Sequence, residues 1–143
     1  MTNDKVARAS LRIFSETVGV EETTALLGVS ASRSYPKGQP VSSRNPGVLR
    51  HRSAWILESP LGDEQDLASH LNWLLDIVEP RLEILRRLSP KCKIDLFCAF
   101  SSTTGQGGTT LDNILLVRLA RLTLDLTIDL YPPGPMASDE ESA

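Results

Sequence analysis

Residues 91–131 read KCKIDLFCAFSSTTGQGGTTLDNILLVRLARLTLDLTIDLY. In Lys91–Phe100, Cys92, Ile94, Leu96, Cys98 and Phe100 fall on one side, and Lys93, Asp95 and Phe97 on the other. That period of two predicts a strand with one buried face. A Gly/Thr/Ser loop, Ser101–Thr110, follows, then a helix over Leu111–Leu122 with Thr110 as its N-cap. In Leu124–Tyr131, Leu124, Leu126, Ile128 and Leu130 alternate with Asp125, Thr127, Asp129 and Tyr131, the cleanest strand pattern in the chain. Three prolines within Pro132–Pro135 forbid its continuation. The stretch is therefore a β-α-β unit.

The upstream chain repeats the theme. In Val6–Phe14, Ala7, Ala9, Leu11 and Ile13 alternate with Arg8, Ser10 and Arg12, which predicts a strand. A short helix over Val20–Leu27 follows, with Glu21 and Glu22 at its positive end and Gly28 suited to a left-handed C-terminal residue. Residues 30–52 read as a long loop, and Ser53–Glu58 as a short strand ended by Pro60-Leu61-Gly62. Asp63–Leu88 carries a helical apolar stripe of Leu67, Leu71, Leu74, Leu75, Val78, Leu82 and Leu85. Pro80 within it predicts a kink or two helices meeting near Glu79. The expected fold class is α+β: a ferredoxin-like two-layer sandwich, β-α-β, long helix, β-α-β, with a four-stranded, mainly antiparallel sheet. The expected domain is 1–131, with a disordered acidic tail over 132–143. Leu11, Ile94, Leu96, Leu126 and Ile128 are expected to share one core with Leu71, Leu74, Leu115 and Leu119.

The chain has 143 residues, 41% hydrophobic and 23% charged, with a net charge of −3. This is the composition of one globular domain. The net charge argues against a generally basic nucleic-acid binder, so no nucleic-acid partner is expected. Neither a secretory signal nor a membrane span is visible, and the expected location is cytoplasmic. On one strand, Cys92 and Cys98 would lie about 20 Å apart, too far for a disulfide. They lack metal-ligand spacing, so neither a metal nor a cofactor is expected.

Several short motifs recur in order: LRIF at Leu11–Phe14, ALLG at Ala25–Gly28, Lys37-Gly38, W-x-L-x-S at Trp55–Ser59, HLNWLLD at His70–Asp76 and LTIDLY at Leu126–Tyr131. By these the chain resembles a bacterial family catalogued as domain of unknown function 4279, over roughly residues 8–131. The resemblance implies the domain's limits and fold. It carries over no catalytic residue.

Three constellations are candidates for chemistry. Arg33, Lys37, Arg44, Arg50 and Arg52 lie between Glu22 and Glu58 with no acid among them. With +5 in that interval and −3 overall, the rest of the chain carries −8. Arginine forks bind phosphate and carboxylate with paired hydrogen bonds, so this loop is the candidate anion site. Lys37 and Arg50 are its expected contacts, with Trp55 as an apolar wall; a solvated surface loop is the plain alternative, and for Trp55 a place in the core. The second candidate, Ser101–Thr110, carries from Gly105 the start of a dinucleotide-binding pattern but has Thr110 where the third glycine belongs, and reads better as a connection. The third is the polar sheet face, where Arg8 and Arg12 would oppose Asp125 and Asp129 if first and last strands were neighbours. Phe97 and Tyr131 would supply apolar contact there; Asp95 with Asp129 can be pictured as a carboxylate pair, but nothing in the sequence fixes their distance, and structural ion pairing is the plain alternative for this face. His70 beside the apolar stripe reads as a packing residue.

Without a nucleophile motif, metal cluster or intact cofactor loop, the leading expectation is a small non-enzymatic binding or interaction domain, with immunity or accessory proteins as the analogy. The alternative is a small-molecule sensor or enzyme that holds an anion on the 33–52 loop. A deep pocket bordered by Arg50 and Trp55 would favour the alternative; a flat charged face would favour a protein partner.

Overall fold

The computed structural model describes residues 5–131; the expected tail, 132–143, lies outside them. The elements are β1 (Lys5–Ser15), α1 (Val20–Leu27), β2 (Arg33–Tyr35), β3 (Ser53–Glu58), α2 (Leu67–Val78), a 3-10 turn (Glu79–Arg81), α3 (Leu82–Leu88), β4 (Lys93–Ser102), α4 (Asn113–Leu122) and β5 (Asp125–Tyr131). The class is α+β. The strands form one sheet in the order β2-β3-β1-β4-β5. β4 and β5 pair in parallel; the other three pairings are antiparallel.

The ferredoxin-like expectation needs two corrections. The sheet has five strands rather than four, because the 30–52 segment contains β2. β2 and β1 both run antiparallel to β3, so they run parallel to each other with β3 between them. The first β-α-β unit is therefore β1-α1-β2, and β3 is inserted into it. Second, β1 does not neighbour β5. Its two edges are taken by β3 and β4, and β5 becomes an edge strand.

Local chemistry explains the helix limits. Gly28 ends α1 at φ 73°, a left-handed conformation that glycine adopts without a Cβ clash, and its N–H donates to Thr24 O. Pro80 cannot donate to the ladder, and the long helix breaks there into α2, a 3-10 turn and α3. α4 begins at Asn113 rather than Leu111, because Asp112, not Thr110, caps it by accepting from Leu115 N at 2.9 Å.

All four helices place buried side chains in one cluster against one sheet face. Ala7, Ala9, Leu11 and Ile13 of β1, Trp55 and Leu57 of β3, and Ile94, Leu96 and Cys98 of β4 meet Leu71, Leu74, Leu75, Leu85 and Leu115 there. Leu126 and Ile128 do not join this core. On the edge strand they are 37% and 51% exposed, because α4 inserts Leu115 and Leu122 inboard of them.

A histidine is buried beside that packing. His70 is 1% exposed, and its Nδ1 lies 2.8 Å from Ser59 Oγ, which also accepts from Leu61 N at 3.3 Å. The histidine thereby pins the turn that leaves β3. Burial lowers its pKa from 6.5, outweighing the attraction of Asp63 and Glu64. The unfolded chain therefore binds the proton more readily. Stability from this site is complete above about pH 6.5 and declines as pH falls below it, by at most about 1.4 kcal/mol per pH unit. Urea titrations from pH 7 to 5 are expected to show a falling midpoint, with a shallower fall in His70→Asn. Equal slopes in the two proteins would place the titration elsewhere.

Candidate functional site

The sheet's second face is built from the alternate residues of the same strands. Arg12 lies there, side by side with Asp95 of β4 and Ile56 of β3. Its Nε and Nη2 donate to the two Asp95 oxygens at 2.9 and 2.7 Å, and Thr127 Oγ1 donates to Asp95 Oδ2 at 2.8 Å. The Arg12 guanidinium stacks 4.1 Å from the Phe97 ring centre and 5.2 Å from Phe14. Its Nη1 is buried and has no hydrogen-bond partner among the described residues. The stacking continues outward. Arg52 lies 4.2 Å over Phe14, and Arg50 lies 4.2 Å over Tyr35. The result is a ladder of guanidinium groups and aromatic rings across one end of the sheet. Stacking of this kind is worth about 0.5–2 kcal/mol per contact and leaves guanidinium edges able to donate.

The arginine-rich loop is not irregular. Gly38 N donates to Arg50 O at 2.8 Å, Arg50 N to Gln39 O at 2.7 Å, and Val41 N to Val48 O at 2.8 Å. Residues 36–52 thus prolong the β2–β3 hairpin as an arm. Lys37 and Arg44 are exposed on it, together with Val41, Val48 and Leu49.

The three expected contact residues occupy three places. Lys37 Nζ donates to Glu16 O at 3.1 Å, beside a 270 Å³ hollow lined by residues 15–20. Arg50 stacks on Tyr35 in the ladder. Trp55 is 1% exposed in the helix-side core and donates from Nε1 to Thr24 Oγ1 at 2.9 Å. Arg50 and Trp55 therefore lie on opposite sides of the sheet, and Trp55 is a core residue rather than a wall for an anion.

A shallow basin of about 340 Å³ does sit beside the ladder. It is lined by Phe14, His51, Arg52, Lys91 and Lys93, with Glu16 as its one carboxylate. Sequence reasoning missed Lys91 and Lys93, which lie about forty residues from the arginine loop. Strand pairing brings them in: Phe14 faces Ala54 on one side and Lys93 on the other. The signal was the K-C-K spacing, which places two cations on alternate positions that share a face. Cys92 also lines the basin, but burial pushes its thiol pKa up, which disfavours the thiolate a nucleophile needs.

A family model for a domain of unknown function, DUF4279, matches residues 4–133. The chain belongs to the DUF4279 family. No curated protein and no solved structure matches it.

The remaining constellations in this DUF4279 domain are structural. Arg8 donates to Asp63 at 3.0 and 2.8 Å, and β5, which carries Asp125 and Asp129, is not beside β1. That bond holds the Asp63 pKa below the usual carboxylate range. Asp95 and Asp129 form no carboxylate pair: Asp95 is held by Arg12 and Thr127, and Asp129 aligns with Ala99. Phe97 is buried under Arg12 rather than offered as a contact. In the glycine-rich loop of this DUF4279 domain, Ser102 Oγ donates to Gln106 O, and Lys5 Nζ donates to Gly108 O at 2.8 Å. With Asp112 also capping α4, that helix end already has its anion. Cys92 and Cys98 are free thiols, and burial pushes Cys98 up to about 12. Among the described residues, no group of three His, Cys, Asp or Glu can hold a metal ion, and no helix is long and apolar enough to cross a membrane.

Proposed function

We propose that this DUF4279 domain is a non-enzymatic binding module that engages an acidic segment of a protein partner through the ladder, the basin and the hairpin arm. The observation that carries the reading is the convergence of Arg52, Lys91 and Lys93 around one basin that has a single carboxylate. Like charges held close together favour an anion between them. The arm adds exposed Val41, Val48 and Leu49 beside Lys37 and Arg44, the mixture of apolar and cationic groups found where protein surfaces meet. A second reading rests on the basin alone: at about 340 Å³ it has room for a small phosphorylated or carboxylated metabolite.

Polyglutamate peptide and inorganic phosphate separate the two. The peptide is expected to bind in a calorimetric titration, more weakly as salt is raised. The double replacement Arg52→Ala/Lys93→Ala is expected to weaken it about tenfold. Phosphate alone is expected to leave the melting temperature unchanged. Stabilisation by phosphate, lost in the same variant, would favour the metabolite reading. Binding of neither probe would remove both.

A further inference from the structure

We propose that two copies of this chain pair through the outer edge of β5, joining their sheets antiparallel about Ile128. β5 is seven residues long and pairs with β4 on one side only. Among the described residues nothing pairs with its other edge. Solitary edge strands are normally kept apart by charged side chains, above all lysine, or by proline, a bulge or extreme shortness. β5 carries Asp125 and Asp129 but no lysine and no proline, and its seven residues pair with β4 in an unbroken register. Its helix-side face instead offers Leu126, Ile128 and Leu130 at 37, 51 and 74% exposure.

α4, the helix that leads into β5, also exposes a leucine. Arg118 reaches inward to Asp76 of α2 at 2.8 Å. Leu116 lies two positions earlier, on the opposite flank of the helix, and is 51% exposed. That flank faces away from α2.

The partner that fits is a second copy, because the strand is nearly its own mirror. Leu126-Thr127-Ile128-Asp129-Leu130 is symmetric in its apolar positions about Ile128. In an antiparallel pair centred there, Leu126 faces Leu130, Ile128 faces itself, Thr127 faces Asp129 and Asp125 faces Tyr131. All seven residues pair, and no like charges are opposed. Centred on Thr127, Asp125 would face Asp129; centred on Asp129, that aspartate would face its own copy. Like charges directly opposite destabilise a ladder. A slip of one residue would set leucines against aspartates on each face. The twofold arrangement closes on itself, so it gives a dimer rather than a fibre.

Sedimentation of the full chain in the micromolar range tests the dimer. A mass of twice 15.7 kDa is expected, falling to the single-chain mass in Ile128→Lys and in Leu130→Lys, with circular dichroism unchanged in both. These side chains are half or more exposed, so the variants should fold. Cysteine cross-linking tests the register. Cys98 is the β4 partner of Ile128, so it is first replaced by alanine. Facing residues of an antiparallel pair are about 4.5–5.5 Å apart at Cα, within disulfide range. Ile128→Cys in that background is expected to cross-link two chains under mild oxidation, and Asp129→Cys is not. A monomeric wild type, or a dimer that survives both lysine variants, would overturn the pairing. Cross-linking at 129 but not at 128 would overturn the register.

Discussion

Replacing Asp95 with alanine is expected to cost about 3–5 kcal/mol, the cost of leaving one partner of a buried ion pair alone. Total stabilities are about 5–15 kcal/mol, so the variant should be partly unfolded at 37 °C. The guanidinium of Arg12 has no room to reach water: its side chain is 8% exposed and sits between two rings. Asp95 accepts three hydrogen bonds, from Arg12 Nε and Nη2 and from Thr127 Oγ1, so its removal strands both buried Arg12 donors at once. The control is Arg12→Leu/Asp95→Leu, which removes both charges. Buried pairs exchanged for apolar side chains often lose little, so the double variant should recover most of the stability. Urea titrations of the two proteins check this. A loss below about 1 kcal/mol in Asp95→Ala would mean that Arg12 finds another anion, and the ladder would not depend on Asp95.

Trp55→Ala is expected to cost about 3–5 kcal/mol, in the range for removing a large aromatic from a core. The indole is packed with Leu57 and the helix side chains of the central cluster, and its N–H is satisfied by Thr24. Trp55→Phe should cost less, since most of the apolar volume remains while the Thr24 hydroxyl loses its donor. Thermal unfolding with matched binding titrations distinguishes core from site. If Trp55→Phe binds polyglutamate as the wild type does, the residue only packs. If stability is unchanged and binding is lost, Trp55 belongs to the binding surface after all.

What the sequence made legible was whatever repeats with a short period. The alternation in Leu11–Ile13 and Ile94–Leu96 marked the central strands and their buried face. Gly28 and Pro80 marked helix ends because each acts on its own backbone. β2 escaped because three residues carry no period, and its hydrogen bonds depend on β3, about twenty positions later. The order of strands escaped for a similar reason. Ala7, Ala9, Leu11 and Ile13 show that β1 has a buried face, but nothing in them says which strands lie at its edges. The misplacement of Leu126 and Ile128 followed from that order, since apolar alternation looks the same on a central strand and on an edge. In the candidate site, Arg50 and Arg52 were visible as local charge. Lys91 and Lys93 join them only through pairing across the sheet. For Trp55 the sequence offered both a wall beside Arg50 and a place in the core, because nearness to Arg50 along the chain says nothing about which face of the sheet a side chain takes.

The first strand made is also the middle of the sheet. β1 ends at Ser15, while the last residue of β4 that it pairs with is Ser102. A ribosome adding about 5–20 residues per second needs roughly 4–17 s to cover that interval. During that time, the central strand of the sheet has at least one bare edge. A growing chain of this kind relies on holding factors more than one whose neighbours arrive consecutively. Slower translation after Glu58 should therefore lower the soluble yield without changing the finished molecule.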